Sequence, residues 1–126
     1  MAIQTIANLL AYGFGALCLS TALPFVGIPF PRAETAAYYK RKNEWNAKLS
    51  GHRITPATAG VLGAALRVGV GLGVIFPETR EAALFLKGAV VSVGTVLAYR
   101  DGRPMRPQWT MLGLVAACFA SGRLAT

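Results

Sequence analysis

Residues 3–30, IQTIANLLAYGFGALCLSTALPFVGIPF, contain no charged side chain. At about 1.5 Å per residue, a helix crosses the roughly 30 Å hydrocarbon core of a bilayer in some 20 residues. This stretch therefore spans with length to spare. The run is also too long for a cleaved signal peptide and has no basic residues before its apolar core. Pro24 and Pro29 are expected to kink or end the helix near one interface.

Three further apolar stretches follow, at residues 56–76, 82–99 and 107–125. Pro56 suits a first helical turn, with Thr55 as its N-cap. The polar turn Pro77-Glu78-Thr79-Arg80 is so short that the second and third stretches form an antiparallel hairpin. The fourth is the weakest, because only 14 residues, Trp109 to Gly122, precede Arg123. Arg123 then has to snorkel to the far surface; the alternative is a half-inserted segment. A soluble bundle needs polar faces at helical spacing, and these segments are apolar all round.

Composition agrees. The 126 residues suffice for one compact unit, 54% of them are hydrophobic and only 14% are charged. Soluble domains carry about 25% charged residues. The expected fold is all-α: an integral membrane four-helix bundle, one transmembrane domain over residues 1–126, with both termini on the same side.

The charges fall unevenly. The loop at residues 31–55 carries Arg32, Lys40, Arg41, Lys42, Lys48 and Arg53, and the loop between the last two stretches adds Arg100, Arg103 and Arg106. With four spans these nine basic residues share one side, and only Arg80 and Arg123 lie on the other. This positive-inside bias puts the basic loops in the cytosol. It accounts for the net charge of +8 without nucleic acid, for which no recognition motif is present. Tyr38, Tyr39 and Trp45 beside Lys40-Arg41-Lys42 look like interfacial aromatics on a short amphipathic helix resting on the bilayer, with membrane lipids as partners.

Two cations lie inside spans. Arg67 is the twelfth of the 21 residues at 56–76, where insertion scales give about 2.5–3.5 kcal/mol against a charge. Lys87 lies six residues after Glu81 and can reach back to that turn. Arg67 has no acidic residue in any span. Its partners are then backbone carbonyls, Ser20, Thr21, Ser92 or Thr95, water, or an anionic group on a ligand or lipid. It is either a hydrogen-bond hub between helices or, together with Lys87, a ligand contact; the remaining alternative is a misplaced span.

Other chemistry is sparse. Glu44, His52 and Asp101 join Arg67 as the catalytic candidates, but their spacing is not diagnostic of acid–base catalysis. Cys18 and Cys118 read as buried thiols, with no CxxC and no metal motif. No cofactor is implied. Gly60, Gly63, Gly69, Gly71 and Gly73 favour close helix packing, with Gly69 and Gly73 at the GxxxG spacing.

At LRVGVGLGVIFPETR (Leu66 to Arg80) and the following two spans, a likeness covering about residues 56–120, the chain resembles the DoxX-like group of small four-helix membrane proteins. The shared features are an arginine entering a glycine-rich helix, the tight Phe76-Pro77 turn, a Gly/Ala-rich third helix ending in Ala98-Tyr99-Arg100, and a short last helix. The long loop with Tyr38, Tyr39 and Trp45 departs from that pattern. The resemblance implies a four-span bundle and a role in redox or quinone-linked membrane processes, and it transfers no catalytic residue.

Two functions fit. The first is an accessory or structural component of a membrane complex, or a homo-oligomer. The second is a small membrane isomerase, cyclase, hydrolase or redox enzyme for a lipophilic quinone, terpenoid or polyketide, with Arg67 stabilising an anion. A channel or carrier would need an oligomer to line a pore.

Overall fold

The computed structural model describes residues 2–125. Among the described residues there are five helices: α1 (Ala2–Phe25), α2 (Ala33–Leu49), α3 (Pro56–Ile75), α4 (Pro77–Arg100) and α5 (Arg106–Ala125). Three of them, α1, α3 and α4, are long and apolar enough to cross a membrane. The α5 helix is the fourth expected span. It is 20 residues long but not apolar enough to join that set.

Helix ends follow local chemistry. The first helix stops at Phe25 rather than continuing to Phe30, with Pro24 in its last turn. Gly27, at φ +91°, donates to the Pro24 carbonyl, and Ile28 donates to that of Leu23. The same paired closure ends α2 at Gly51 and His52, and α4 at Gly102 and Arg103. Each is a Schellman motif, with glycine in the left-handed position that a Cβ disfavours. At the start of α3, the Thr55 hydroxyl caps the Thr58 N–H at 3.1 Å.

Between α3 and α4 the expected four-residue turn shrinks to one residue. Phe76 is extended, and Pro77 opens α4 at once, its fixed φ suiting the first helical position. The polar residues after it cap the helix before it. Thr79 donates to the Gly73 carbonyl, and Arg80 donates to those of Val74 and Ile75. In lipid, carbonyls without such donors would be costly.

Buried positions form narrow stripes. Along α1 they are Ala7, Ala11, Phe14, Gly15, Cys18, Ala22, Pro24 and Phe25. Along α4 they are Leu84, Lys87, Val91, Thr95 and Ala98. The rest of each helix turns large apolar residues outward, among them Leu9, Leu62, Leu72, Phe85 and Val96. An apolar surface of this breadth suits lipid rather than water.

Two compact units draw on α1 and α3. One holds α1 up to Gly15, the chain from Val70 to the end of α3, and α4 and α5. Within it α5 runs antiparallel along α4. Arg123 meets Glu81 at 3.4 Å, the Phe119 and Phe85 rings lie 5.8 Å apart, and Thr95 donates to the Gln108 side chain at 3.4 Å. The other unit, Ala16–Gly69, holds the end of α1, all of α2 and the first part of α3.

The glycines pack in places their spacing does not reveal. A Cβ at Gly60 would collide with the Phe25 carbonyl and the Asn43 amide, and one at Gly63 with the Phe25 ring. Gly73 lies close to Ala83, but Gly69 faces open space, so the Gly69/Gly73 pair is no contact surface within this chain. The face of α3 that α1 and α2 cover starts at its N-terminal end, where Gly60 and Gly63 lie.

Candidate functional site

Arg67 is buried, with 5% of its surface exposed. A helical side chain leans toward the N-terminus of its helix, and for α3 that end adjoins α2 and the end of α1. Arg67 Nη1 donates to Thr21 Oγ1. That hydroxyl donates to the Leu17 carbonyl at 2.7 Å, leaving a lone pair for the guanidinium. Thr21 is the one hydrogen-bond partner of Arg67 among the described residues, and no described carboxylate pairs with it.

Two rings complete the setting. Arg67 Cζ lies 5.2 Å from the Phe25 ring centroid and 5.8 Å from that of Tyr39. These rings pack 4.4 Å apart, and Lys42 Nζ stands 5.7 Å from each. A desolvated cation over an aromatic face gains about 2 kcal/mol. Arg67 thus joins α1 and α2 to α3 through one hydroxyl and two rings. Tyr39, expected in an interfacial belt, is instead buried in this cluster, 8% exposed.

One turn further along α2, Asn43 is buried as well. Its Nδ2 donates to the Phe25 carbonyl at 2.9 Å, while its Oδ1 is a buried acceptor without a donor. The sequence signal for this face is Tyr39, Asn43 and Ala47 at i, i+4 and i+8, buried on an otherwise charged helix. Asn43 also lines a cavity of about 460 Å³, walled by the end of α1, one face of α2 and the start of α3. Lys40 and Glu44 line it too, and both are exposed.

The remaining candidates occupy separate settings. His52 is exposed, at φ 63°, in the Schellman closure of α2. Asp101 caps α4 and pairs with Arg100 at 2.9 Å on the surface. Lys87, expected to reach back toward Glu81, is 3% exposed on the buried stripe of α4. Cys18 and Cys118 are buried thiols that form no disulfide. Among the described residues no three metal-ligating side chains come together.

Sequence spacing places Arg67 within an apolar span, and Thr21 is among the hydroxyls it allows. Asn43, Phe25 and Tyr39 carry no such mark, because their role depends on α2 folding back over the α1 and α3 ends. No family description, curated protein or solved structure matches this chain.

Proposed function

We propose that the protein is a small multi-pass membrane protein acting as an accessory or structural component of a membrane complex, with Arg67 as an internal hub. The observation that carries this reading is the Arg67 cluster, in which a single buried cation ties three helices together through Thr21, Phe25 and Tyr39. Such a residue fixes the mutual arrangement of apolar helices that lipid would otherwise leave free to slide.

The bilayer orientation follows from the charges. With α3 and α4 as spans, the segment with α2 and the Arg100–Arg106 connection share one side whatever α5 does, and the positive-inside rule makes that side cytosolic. That α5 tracks α4 from Gln108 to Arg123 supports a fourth crossing, which would return the C-terminus to the side of the N-terminus. Four spans also accord with the DoxX-like resemblance.

A second reading, a small membrane enzyme for a lipophilic substrate, draws on the Arg67 guanidinium. One hydrogen bond to the protein leaves its other N–H groups available to an anion. Native mass spectrometry of the full chain, gently extracted from its own membrane, separates the two. Co-purifying subunits at fixed stoichiometry are expected. A lone chain carrying one lipophilic acid or quinone overturns the accessory reading, and loss of that molecule in Arg67→Gln then establishes the enzyme-type site.

A further inference from the structure

Arg67 has more donors than acceptors around it. A guanidinium presents a planar fork of N–H groups, and among the described residues only Nη1 meets an acceptor, the Thr21 hydroxyl. Tyr39 is in a similar position. Its ring packs on Phe25 and lies beside Arg67 and Lys42, but its hydroxyl enters no hydrogen bond among the described residues. Both side chains are more than nine-tenths buried, with Arg67 5% and Tyr39 8% exposed. Polar groups withdrawn this far from water are normally paired, and a charge above all.

The spare donors are not walled in. Asn43 Oδ1 is the one fully occluded side-chain oxygen or nitrogen without a partner among the described residues. The remaining N–H groups of Arg67 and the Tyr39 hydroxyl therefore meet accessible space, through a narrow opening. Arg67, Thr21, Phe25, Tyr39 and Lys42 all belong to the unit Ala16–Gly69. Arg67 Cζ stands 5.8 Å from the centre of the Tyr39 ring and Lys42 Nζ 5.7 Å from it, so positive charge surrounds the hydroxyl donor. The acceptor that fits these donors is negatively charged, and no described carboxylate pairs with Arg67.

We propose that Arg67 and Tyr39 together bind the carboxylate of a long-chain lipophilic acid. The carboxylate lies against the free edge of the guanidinium, where the two planar forks match. The Tyr39 hydroxyl donates to one of its oxygens, and the hydrocarbon chain runs out along the Phe25 ring. A phosphodiester headgroup carries a substituent on either side and is too broad for so narrow an opening. A quinone or an alcohol brings no charge to offset the guanidinium. A carboxylate on a partner's helix does not reach a group enclosed by α1, α2 and α3. The site rests on the premise of the second reading above, that Arg67 is open to an anion. It adds the class of that anion and a second donor, and it holds whether the acid is a substrate or a lipid built into a complex.

The test uses the full chain reconstituted in vesicles containing equal small amounts of oleic acid, oleyl alcohol and oleyl phosphate, at a mildly alkaline pH that ionises the acid. Native mass spectrometry after gentle solubilisation identifies what is retained. A single oleate is expected, preferred about tenfold or more over oleyl alcohol, as a hydrogen bond to a charged group allows. Tyr39→Phe keeps the ring and its contact with Phe25, so the variant melts as the wild type does, and it retains about fivefold less oleate. Arg67→Gln abolishes the preference, and Arg67→Lys restores part of it by returning the charge without the fork. Equal retention of oleate and oleyl alcohol by the wild type overturns the site, as does undiminished oleate retention in a normally melting Tyr39→Phe. Preference for oleyl phosphate overturns the carboxylate assignment and leaves Arg67 as an anion contact. Undiminished retention in Arg67→Gln overturns the second reading together with the site.

Discussion

Gly60 lets a carbonyl and an amide come where a methyl group would stand. A Cβ there meets Phe25 O and the Asn43 side chain, groups fixed by their mutual hydrogen bond and by the end of α1. Overpacking of this kind costs about 1–3 kcal/mol. Gly69, on the same helix, has nothing within 4 Å of its would-be Cβ, and alanine there gains about 0.5–1 kcal/mol of helix propensity. Thermal unfolding in mild detergent should therefore show Gly60→Ala melting below the wild type and Gly69→Ala at or above it. Equal melting of the two variants would mean that α1 and α2 do not close on α3 at Gly60. Composition shows a glycine-rich helix and cannot say which glycines face a partner, since the glycines lie at several angles around α3. Arg67 is more legible, because a lone charge in an apolar run has few ways to be satisfied. Thr21 follows from the scarcity of hydroxyls in the spans. The Phe25 and Tyr39 rings do not, because aromatic residues near a basic segment suit a membrane interface equally well.

At the scale of elements, hydropathy finds α1, α3 and α4 readily, since each holds an apolar run about as long as the hydrocarbon core of a bilayer is thick. The α2 helix is legible as an amphipathic segment from its charges. Its buried stripe of Tyr39, Asn43 and Ala47 is polar enough to escape a hydrophobic pattern. The α5 helix poses the opposite difficulty: its composition is marginal, and what defines it is the partner it runs along. Gln108, Val115, Phe119 and Arg123 match Thr95, Gly88, Phe85 and Glu81 in strict antiparallel order. At Gly88 an added Cβ would lie 3.5 Å from Val115 Cγ1, a separation at which two cysteines bridge after a small adjustment. With Cys18 and Cys118 replaced by alanine, Gly88→Cys/Val115→Cys should oxidise to an intramolecular disulfide that shifts the chain on non-reducing gels. Val96→Cys/Val115→Cys, two turns out of register along α4, should stay reduced. A disulfide in the second pair and none in the first would place α5 in another register.

On the proposed membrane reading, the molecule as a whole would be organised by where its charges meet the two faces of a bilayer. Its basic residues concentrate in α2 and in the connection after α4, while the α3–α4 junction holds Glu78 and Glu81 against Arg80. Arg80 is also drawn into the protein, donating to α3 carbonyls and to Asn8 Oδ1 at 3.0 Å, so it contributes little free positive charge on that face. On the same reading, moving nine basic residues across the bilayer is opposed far more strongly than moving two, which would set the orientation even with α5 marginal. Single cysteines at exposed positions read this out in a chain whose native cysteines are replaced by alanine. Lys48→Cys and Asp101→Cys should react with a membrane-impermeant maleimide only from the cytosolic side, and Glu78→Cys only from the opposite side. Leu124→Cys is the informative fourth position. If α5 crosses alongside α4, it labels with Glu78→Cys, because Arg123 and Glu81 lie at one level. Labelling of Leu124→Cys with Asp101→Cys would mean that α5 turns back before crossing, leaving three spans and the termini on opposite faces. Labelling of Lys48→Cys and Asp101→Cys from opposite faces would refute the shared cytosolic side itself, and with it the use of these basic residues as the orienting signal.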